Sequence, residues 1–366
     1  MDERIIAKLR FLLQFPSFVT KGEYRQPYKR NKRDKTIMIE HSIKKSFPRN
    51  QLRKNILSTV CYFDAIEKSL TALEIWRFCL DTQYLFGENS HRLEPGNVSY
   101  SEILRVLDDL VRENFLVFSE GFYIISSKKE EHEIRKKNKK ISDEKLWKLH
   151  SWASFLRYIP FIRSIIVTGG LSSGNATKNS DWDVLIVVRR GHIWTARFLM
   201  VFVTQLLGKR RYAHYIKDRI CLNHFISDGA LSLQLRDLFS AKEYILSLPL
   251  CNERLFERFL RENLWIRSFF PLWEIPRAKN MICLEKNSLG KILQRFLEAI
   301  PFWGILEKKL RVWQKQKILK NPKTNELGSY IVANDDALIF LPDPHGPRIF
   351  EKFKENTFRF SSRTEI

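Results

Sequence analysis

Residues 165–188 read Ile165-Ile166-Val167-Thr168-Gly169-Gly170-Leu171-Ser172-Ser173-Gly174-Asn175-Ala176-Thr177-Lys178-Asn179-Ser180-Asp181-Trp182-Asp183-Val184-Leu185-Ile186-Val187-Val188. Two apolar, β-branched runs flank a glycine pair and a polar connection, which predicts strand, turn, strand. The first strand ends at Gly169-Gly170, where the lack of a Cβ lets backbone approach a ligand closely. The polar connection after it offers amide groups that can face phosphate. The second strand opens at Asp181, and alternation places Asp181 and Asp183 on one face with Trp182 on the other. Two carboxylates aimed at one spot repel each other unless a hard cation lies between them. Mg²⁺ favours such oxygens together with substrate phosphates, where it neutralises a triphosphate and orients an attacking hydroxyl for in-line displacement.

On these residues the stretch resembles the polymerase-β-like nucleotidyltransferase superfamily. Its signature is an apolar residue, Gly, Gly or Ser, a short spacer, then Asp–apolar–Asp–apolar. Here ten residues separate Gly169-Gly170 from Asp181-Trp182-Asp183-Val184. The resemblance implies an α+β fold with a palm-like core and a mixed sheet. It implies Asp181 and Asp183 as metal ligands for Mg²⁺ or Mn²⁺, and Gly169, Gly170, Gly174 and Ser180 around a bound nucleoside triphosphate. Two positions depart from the commoner pattern. Gly170 stands where many members have Ser, and Ser173 precedes Gly174 where many have Arg. The superfamily's third carboxylate lies on a downstream strand, for which Arg219-Ile220-Cys221-Leu222-Asn223-His224-Phe225-Ile226 is the candidate. Its central polar residue is Asn223, an amide that can ligate metal but carries no charge. His224 is read as a packing histidine.

Working outward, the capping-box spacings Thr71/Glu74 and Ser99/Glu102 each open a helix. Phe115-Leu116-Val117-Phe118, Ser119-Glu120-Gly121 and Phe122-Tyr123-Ile124-Ile125 then read as a hairpin. Helices followed by a hairpin give the order of a winged-helix domain. Its expected recognition helix carries Glu102, Asp108, Asp109 and Glu113, a face that disfavours phosphate and favours packing against protein. This order, followed by a charged connector and the core, is similar to a group of bacterial proteins with a nucleotidyltransferase domain behind a winged helix. That similarity spans about residues 56–270.

The domain plan expected from these signals is a basic N-terminal arm over 1–55 and a winged helix over 56–127. A charged linker over 128–141 leads to a nucleotidyltransferase core over 142–250, and a helical region over 251–366 completes the chain. A short amphipathic helix is expected within residues 1–20. Ile193 to Leu207 reads as a buried helix, too short and too interrupted to span a membrane. Asp237 to Leu248, Asn252 to Phe269 and Ile292 to Ile318 read as further helices, the last bent near Pro301, and the C-terminus as loop plus one short helix.

The net charge is +22, and residues 1–57 hold fifteen Lys and Arg against five Asp and Glu. Such a field favours phosphate-rich partners, RNA or another polyanion. Aromatic residues make up 13% of the chain, which excludes a disordered chain. Five scattered cysteines without a CxxC pair suggest free thiols, a cytoplasmic setting and no zinc site. The function expected is Mg²⁺-dependent transfer of a nucleoside monophosphate from an NTP to a hydroxyl of RNA, protein or a small molecule. The alternative is a catalytically silent nucleotide- or nucleic-acid-binding regulator.

Overall fold

The structure is a computed structural model that describes residues 47–87, 92–125, 131–277, 283–284 and 287–361. The helix expected within residues 1–20 and most of the basic arm lie outside the described residues. Helix α1, Arg49–Ala65, begins inside the stretch assigned to that arm. Its Arg49 and Arg53 pair with Asp109 and Glu113, so the last basic residues of the stretch belong to packed structure.

Helices α2 (Ala72–Arg77), α3 (Thr82–Phe86) and α4 (Tyr100–Arg112) follow. Both expected capping boxes are present, Thr71 with Glu74 and Ser99 with Glu102. Strands β1 (Leu116–Ser119) and β2 (Phe122–Ile125) form an antiparallel hairpin. Its turn runs through Glu120 and Gly121, both at positive φ, the combination whose twist matches the flanking strands. Leu70 bridges to Tyr123 beside it.

Helix α5 spans Glu131–Leu156, which corrects the linker expected over 128–141 and the helix start expected at Ser142. The reason is that its charged residues have partners. Arg135 donates to Glu74 at 2.7 Å, Asn138 Nδ2 donates to Asn175 at 2.9 Å, and Lys139 pairs with Asp143.

Strand β3 (Ile162–Val167), the short helix α6 (Gly169–Ser172), strand β4 (Trp182–Val188), helix α7 (Ile193–Leu206) and strand β5 (Ile220–Ser227) come next. Helix α8 (Leu238–Ile245), strand β6 (Leu248–Pro249) and helix α9 (Glu253–Glu262) follow, then α10 (Ser288–Glu298) and α11 (Trp303–Leu319), with the expected break at Pro301. Strands β7 (Tyr330–Ala333) and β8 (Ala337–Leu341) and helix α12 (Gly346–Ser361) close the described chain.

The main sheet is mixed, in the order β6-β3-β4-β5-β8-β7, and only β4 and β5 run parallel. The fold is α+β around a six-stranded sheet. Two of those strands come from the C-terminal region expected to be helical. Tyr330-Ile331-Val332-Ala333 and Ala337-Leu338-Ile339-Phe340-Leu341 are apolar runs around an Asn-Asp-Asp turn, and β8 hydrogen-bonds to the open edge of β5. The core sheet therefore extends beyond residue 250.

Alternation divides the sheet between two apolar layers. Ile166, Leu185, Val187 and Ile226 face α1, α8, α9 and the N-terminal elements. Ile165, Val167, Trp182, Val184, Ile186 and Phe225 face α5, α7 and α11. Helix α12 returns to α1, where Phe353 meets Tyr62 edge-on and Asn356 donates to Asp64 at 2.7 Å. Helix α7 is buried on one side only: Trp194 and Met200 are enclosed, whereas Phe202 and Leu206 are exposed. Among the described residues no helix is long and apolar enough to cross a membrane.

Candidate active site

Strand β3 delivers the chain to Gly169, whose φ is +69°. A Cβ built there would lie 2.5 Å from Asp183 Oδ2, so both the backbone conformation and the space require glycine. The Gly169 amide donates to Glu243 Oε2 of α8 at 2.6 Å. Gly170 is different: a Cβ there would meet nothing nearer than 3.6 Å, an ordinary contact. Gly174 takes a φ of +72°, with Lys139 against its open side.

Helix α5 supports the connection that follows from one face. Asn138 donates to Asn175, Ser142 Oγ accepts from the Ala176 amide at 2.9 Å, and Lys145 Nζ donates to the carbonyls of Lys178 and Ser180. These three residues stand at helical spacing, so one straight helix fixes the whole turn. Ser180 Oγ turns back to accept from the Thr177 amide at 2.9 Å. Two further bonds tie the turn to the chain after α1. Lys68 Nζ donates to the Ser173 carbonyl at 2.7 Å, and Asn175 Nδ2 donates to the Ile66 carbonyl at 2.9 Å.

Lys68 belongs to a buried ion cluster with Glu74 and Arg135. Burial pulls the Lys68 ammonium down to about 8, helped by the nearby Arg135, Lys139 and Lys242 cations. Burial alone would raise Glu74; Lys68 and Arg135 overcome it and hold its carboxyl at about 2.

Asp181 lies just before β4 and Asp183 within it, while Trp182 is buried on the opposite face as alternation requires. Across the parallel pair, Asp183 is matched with Cys221 and Leu185 with His224. Two steps of β4 thus correspond to three of β5, and a bulge at Leu222 and Asn223 breaks strict alternation. The side chain that meets the aspartate pair is therefore that of Cys221. A carboxylate oxygen of Asp181, one of Asp183 and Cys221 Sγ all lie within 4.8 Å of one another. Asn223 is half-buried, and its side chain has no hydrogen-bond partner among the described residues. His224 Nε2 is enclosed without a hydrogen bond, and burial lowers the ring to about 4, which keeps it neutral.

The charges in this cluster are unevenly balanced. Burial, then the neighbouring Asp181 and Glu243 charges, push the Asp183 carboxyl up to about 7, with the nearby Cys221 thiol and Arg211 acting in the opposite direction. Burial, then Asp183 and Asp181, raise the Cys221 thiol well above its ordinary value. Arg211 Nη1 donates to Cys221 Sγ at 3.3 Å and stands 2.8 Å from Asp181 Oδ2. It lies off the line a hydrogen bond needs, so that buried oxygen is charge-paired yet has no hydrogen-bond donor. Two convergent carboxylates, one with such an oxygen, are a donor set that fits a divalent cation.

Glu243 was not among the residues expected at the site. It accepts from Gly169, pairs with the buried Lys242, and contributes to the Asp183 shift. Only the packing of α8 brings it there; locally it is one more residue of an amphipathic helix.

Residues 151–228 match the family described as Nucleotidyltransferase domain. This part of the chain is a nucleotidyltransferase domain of the polymerase-β-like superfamily. The match covers the end of α5 and β3 through β5, the strands that carry Asp181, Asp183 and Cys221. The domain's chemistry is transfer of a nucleoside monophosphate from a nucleoside triphosphate. No curated protein and no solved structure matches the chain.

Proposed function

We propose that the nucleotidyltransferase domain acts with Mg²⁺ or Mn²⁺, held by Asp181 and Asp183, and transfers the nucleotidyl group to a hydroxyl of RNA with release of pyrophosphate. The observation that carries this reading is the fit of the Asp183 carboxylate into the space left open at Gly169. The aspartate pair thereby stands beside the Gly169–Gly174 turn at which the triphosphate enters. A bound divalent ion supplies charge neutralisation of the phosphates and a template for in-line attack. The chain's own groups do the rest. Gly169 and Gly170 admit the triphosphate, and Gly174 and Ser180 shape the turn, which α5 and Glu243 hold still. Positioning and preorganised charge are the main contributions a protein makes to phosphoryl chemistry.

RNA is favoured as acceptor by a cleft of about 460 Å³ between α7 and α11. Arg197, Arg210, Lys317 and Lys323 line it together with Phe202 and Trp313, and no acidic residue does. Cations for phosphate and an exposed aromatic ring for base stacking are what a single strand needs. Arg210 of the cleft is next in sequence to Arg211, which faces Asp181, while the cleft itself lies on the α7–α11 side of the sheet, the side of Trp182.

The helices and hairpin of residues 56–127, with the Leu70–Tyr123 bridge, support a winged-helix reading of that segment. Asp109 of α4 and Glu113 at its C-terminal end are occupied by arginines of α1, and Lys68 reaches the Gly169–Gly174 turn. We assign this segment a packing role that steadies the turn.

The test is incubation of the purified chain with each α-labelled nucleoside triphosphate, Mg²⁺ or Mn²⁺ and total cellular RNA, beside the Asp181→Ala/Asp183→Ala variant. Label on RNA with the wild type alone supports the reading. Metal-dependent nucleotide binding without any transfer would instead indicate a silent nucleotide-binding regulator.

A further inference from the structure

Cys221 differs from the other enclosed cysteines. Cys61, Cys79 and Cys251 sit inside the two apolar layers. Cys221 is also buried yet belongs to neither. Its sulfur accepts from Arg211 at 3.3 Å and lies within 4.8 Å of a carboxylate oxygen of Asp181 and of Asp183. The β5 bulge produces this placement by turning Cys221, in register with Asp183, onto the aspartate face.

We propose that Cys221 is an inner-sphere ligand of the ion held by Asp181 and Asp183, giving a two-oxygen, one-sulfur site that takes Co²⁺- or Zn²⁺-type ions more tightly than Mg²⁺. The inference rests on the reading of the aspartate pair as the metal site. A thiolate is a soft donor that Mg²⁺ accepts poorly and Co²⁺ or Zn²⁺ accept well. Cys221 thus takes the place that the superfamily gives to a third carboxylate, while Asn223 lies within the bulge. The ligand is the thiolate, so the thiol proton leaves to solvent as the ion enters. Arg211, against both Asp181 and the sulfur, supplies positive charge to the same groups and has to yield some of it when the ion binds.

The test uses the full chain and Co²⁺ as an optical probe. Coordinated thiolate gives Co²⁺ a near-ultraviolet charge-transfer band that carboxylates do not. Wild type is expected to show the band, and Cys221→Ser to lose it while still binding Mn²⁺ by electron paramagnetic resonance. Wild type is also expected to bind Co²⁺ at least about tenfold more tightly than Mg²⁺, with the margin shrinking in the variant. Cys221→Ala, checked by circular dichroism, covers the case in which serine perturbs the fold. Co²⁺ bound at the aspartate pair without the band, or a band that survives both substitutions, overturns the proposal and leaves the aspartate site standing. Failure of Mn²⁺ and Co²⁺ alike to bind in a way that Asp183→Asn abolishes overturns the metal-site reading itself.

Discussion

The Asp183 carboxylate occupies the volume into which any side chain at position 169 would project, with Oδ2 only 2.5 Å from where a Cβ would stand. Gly169 also holds a φ of +69°, so Gly169→Ala incurs both backbone strain and overlap. The expected cost is about 2–4 kcal/mol, with loss of nucleotidyl transfer as the aspartate is pushed aside. Gly170→Ala meets only ordinary contacts and should change stability by less than about 1 kcal/mol. Urea melts of the two variants check the contrast, which equal destabilisation would contradict.

Glu243 is expected to act as a positioning residue. Glu243→Ala removes the acceptor of the Gly169 amide and the partner of Lys242, at a cost of about 1–3 kcal/mol. Glu243→Gln keeps an acceptor and removes a charge that raises Asp183. It should therefore retain most of the stability while the Asp183 titration moves to lower pH, a shift that carboxyl NMR of the metal-free protein would reveal.

The buried Lys68–Glu74–Arg135 cluster makes a pH prediction. The Glu74 carboxyl is held at about 2 in the folded chain against an ordinary value of 4.5. Above that ordinary value its stabilising contribution is complete, and it is lost as pH falls from about 4.5 to about 2. Lys68 runs the other way: with its ammonium at about 8 against 10.5, its charge is a cost below about 8 that is relieved as pH rises towards 10.5. Glu74→Gln, which strands two buried cations, should lose about 3–5 kcal/mol. Lys68→Met should lose less, because Arg135 still pairs with Glu74. Thermal melts across pH test both statements, and an acid-insensitive Glu74→Gln variant is the expected signature.

The α7–α11 cleft predicts a split between acceptor and nucleotide. Trp313→Ala should weaken RNA binding by about 1–3 kcal/mol for a stacked base, raising KM for RNA while leaving metal-dependent NTP binding unchanged. Lys317→Ala should reduce the salt dependence of RNA binding. Equal effects on NTP and RNA would remove the cleft from the acceptor path.

The glycine pair and the Asp181/Asp183 alternation were legible because they depend on neighbouring residues and on the twofold period of a strand. The capping boxes were legible for the same reason, since each is closed within four residues. Cys221 was not, because the β5 bulge changes which residue faces Asp183, and a one-residue slip leaves no mark in composition. Glu243 was hidden by distance along the chain, as only tertiary packing of α8 brings it to Gly169. The charged run from Glu131 concealed a helix because its partners, Glu74 and Asn175, lie in other elements. The β7–β8 hairpin did carry a local signal in its β-branched runs and Asn334-Asp335-Asp336 turn, but the prolines after it drew the reading towards loop.

The most direct test of the central claim compares triphosphates labelled at the α and the γ phosphorus, with RNA as acceptor and Asp183→Asn as control. The account predicts that α-label moves to RNA, γ-label leaves in pyrophosphate, and neither reaction occurs in the variant while its fold is retained. Transfer of γ-label to the acceptor, or α-label transfer that survives Asp183→Asn, would contradict it.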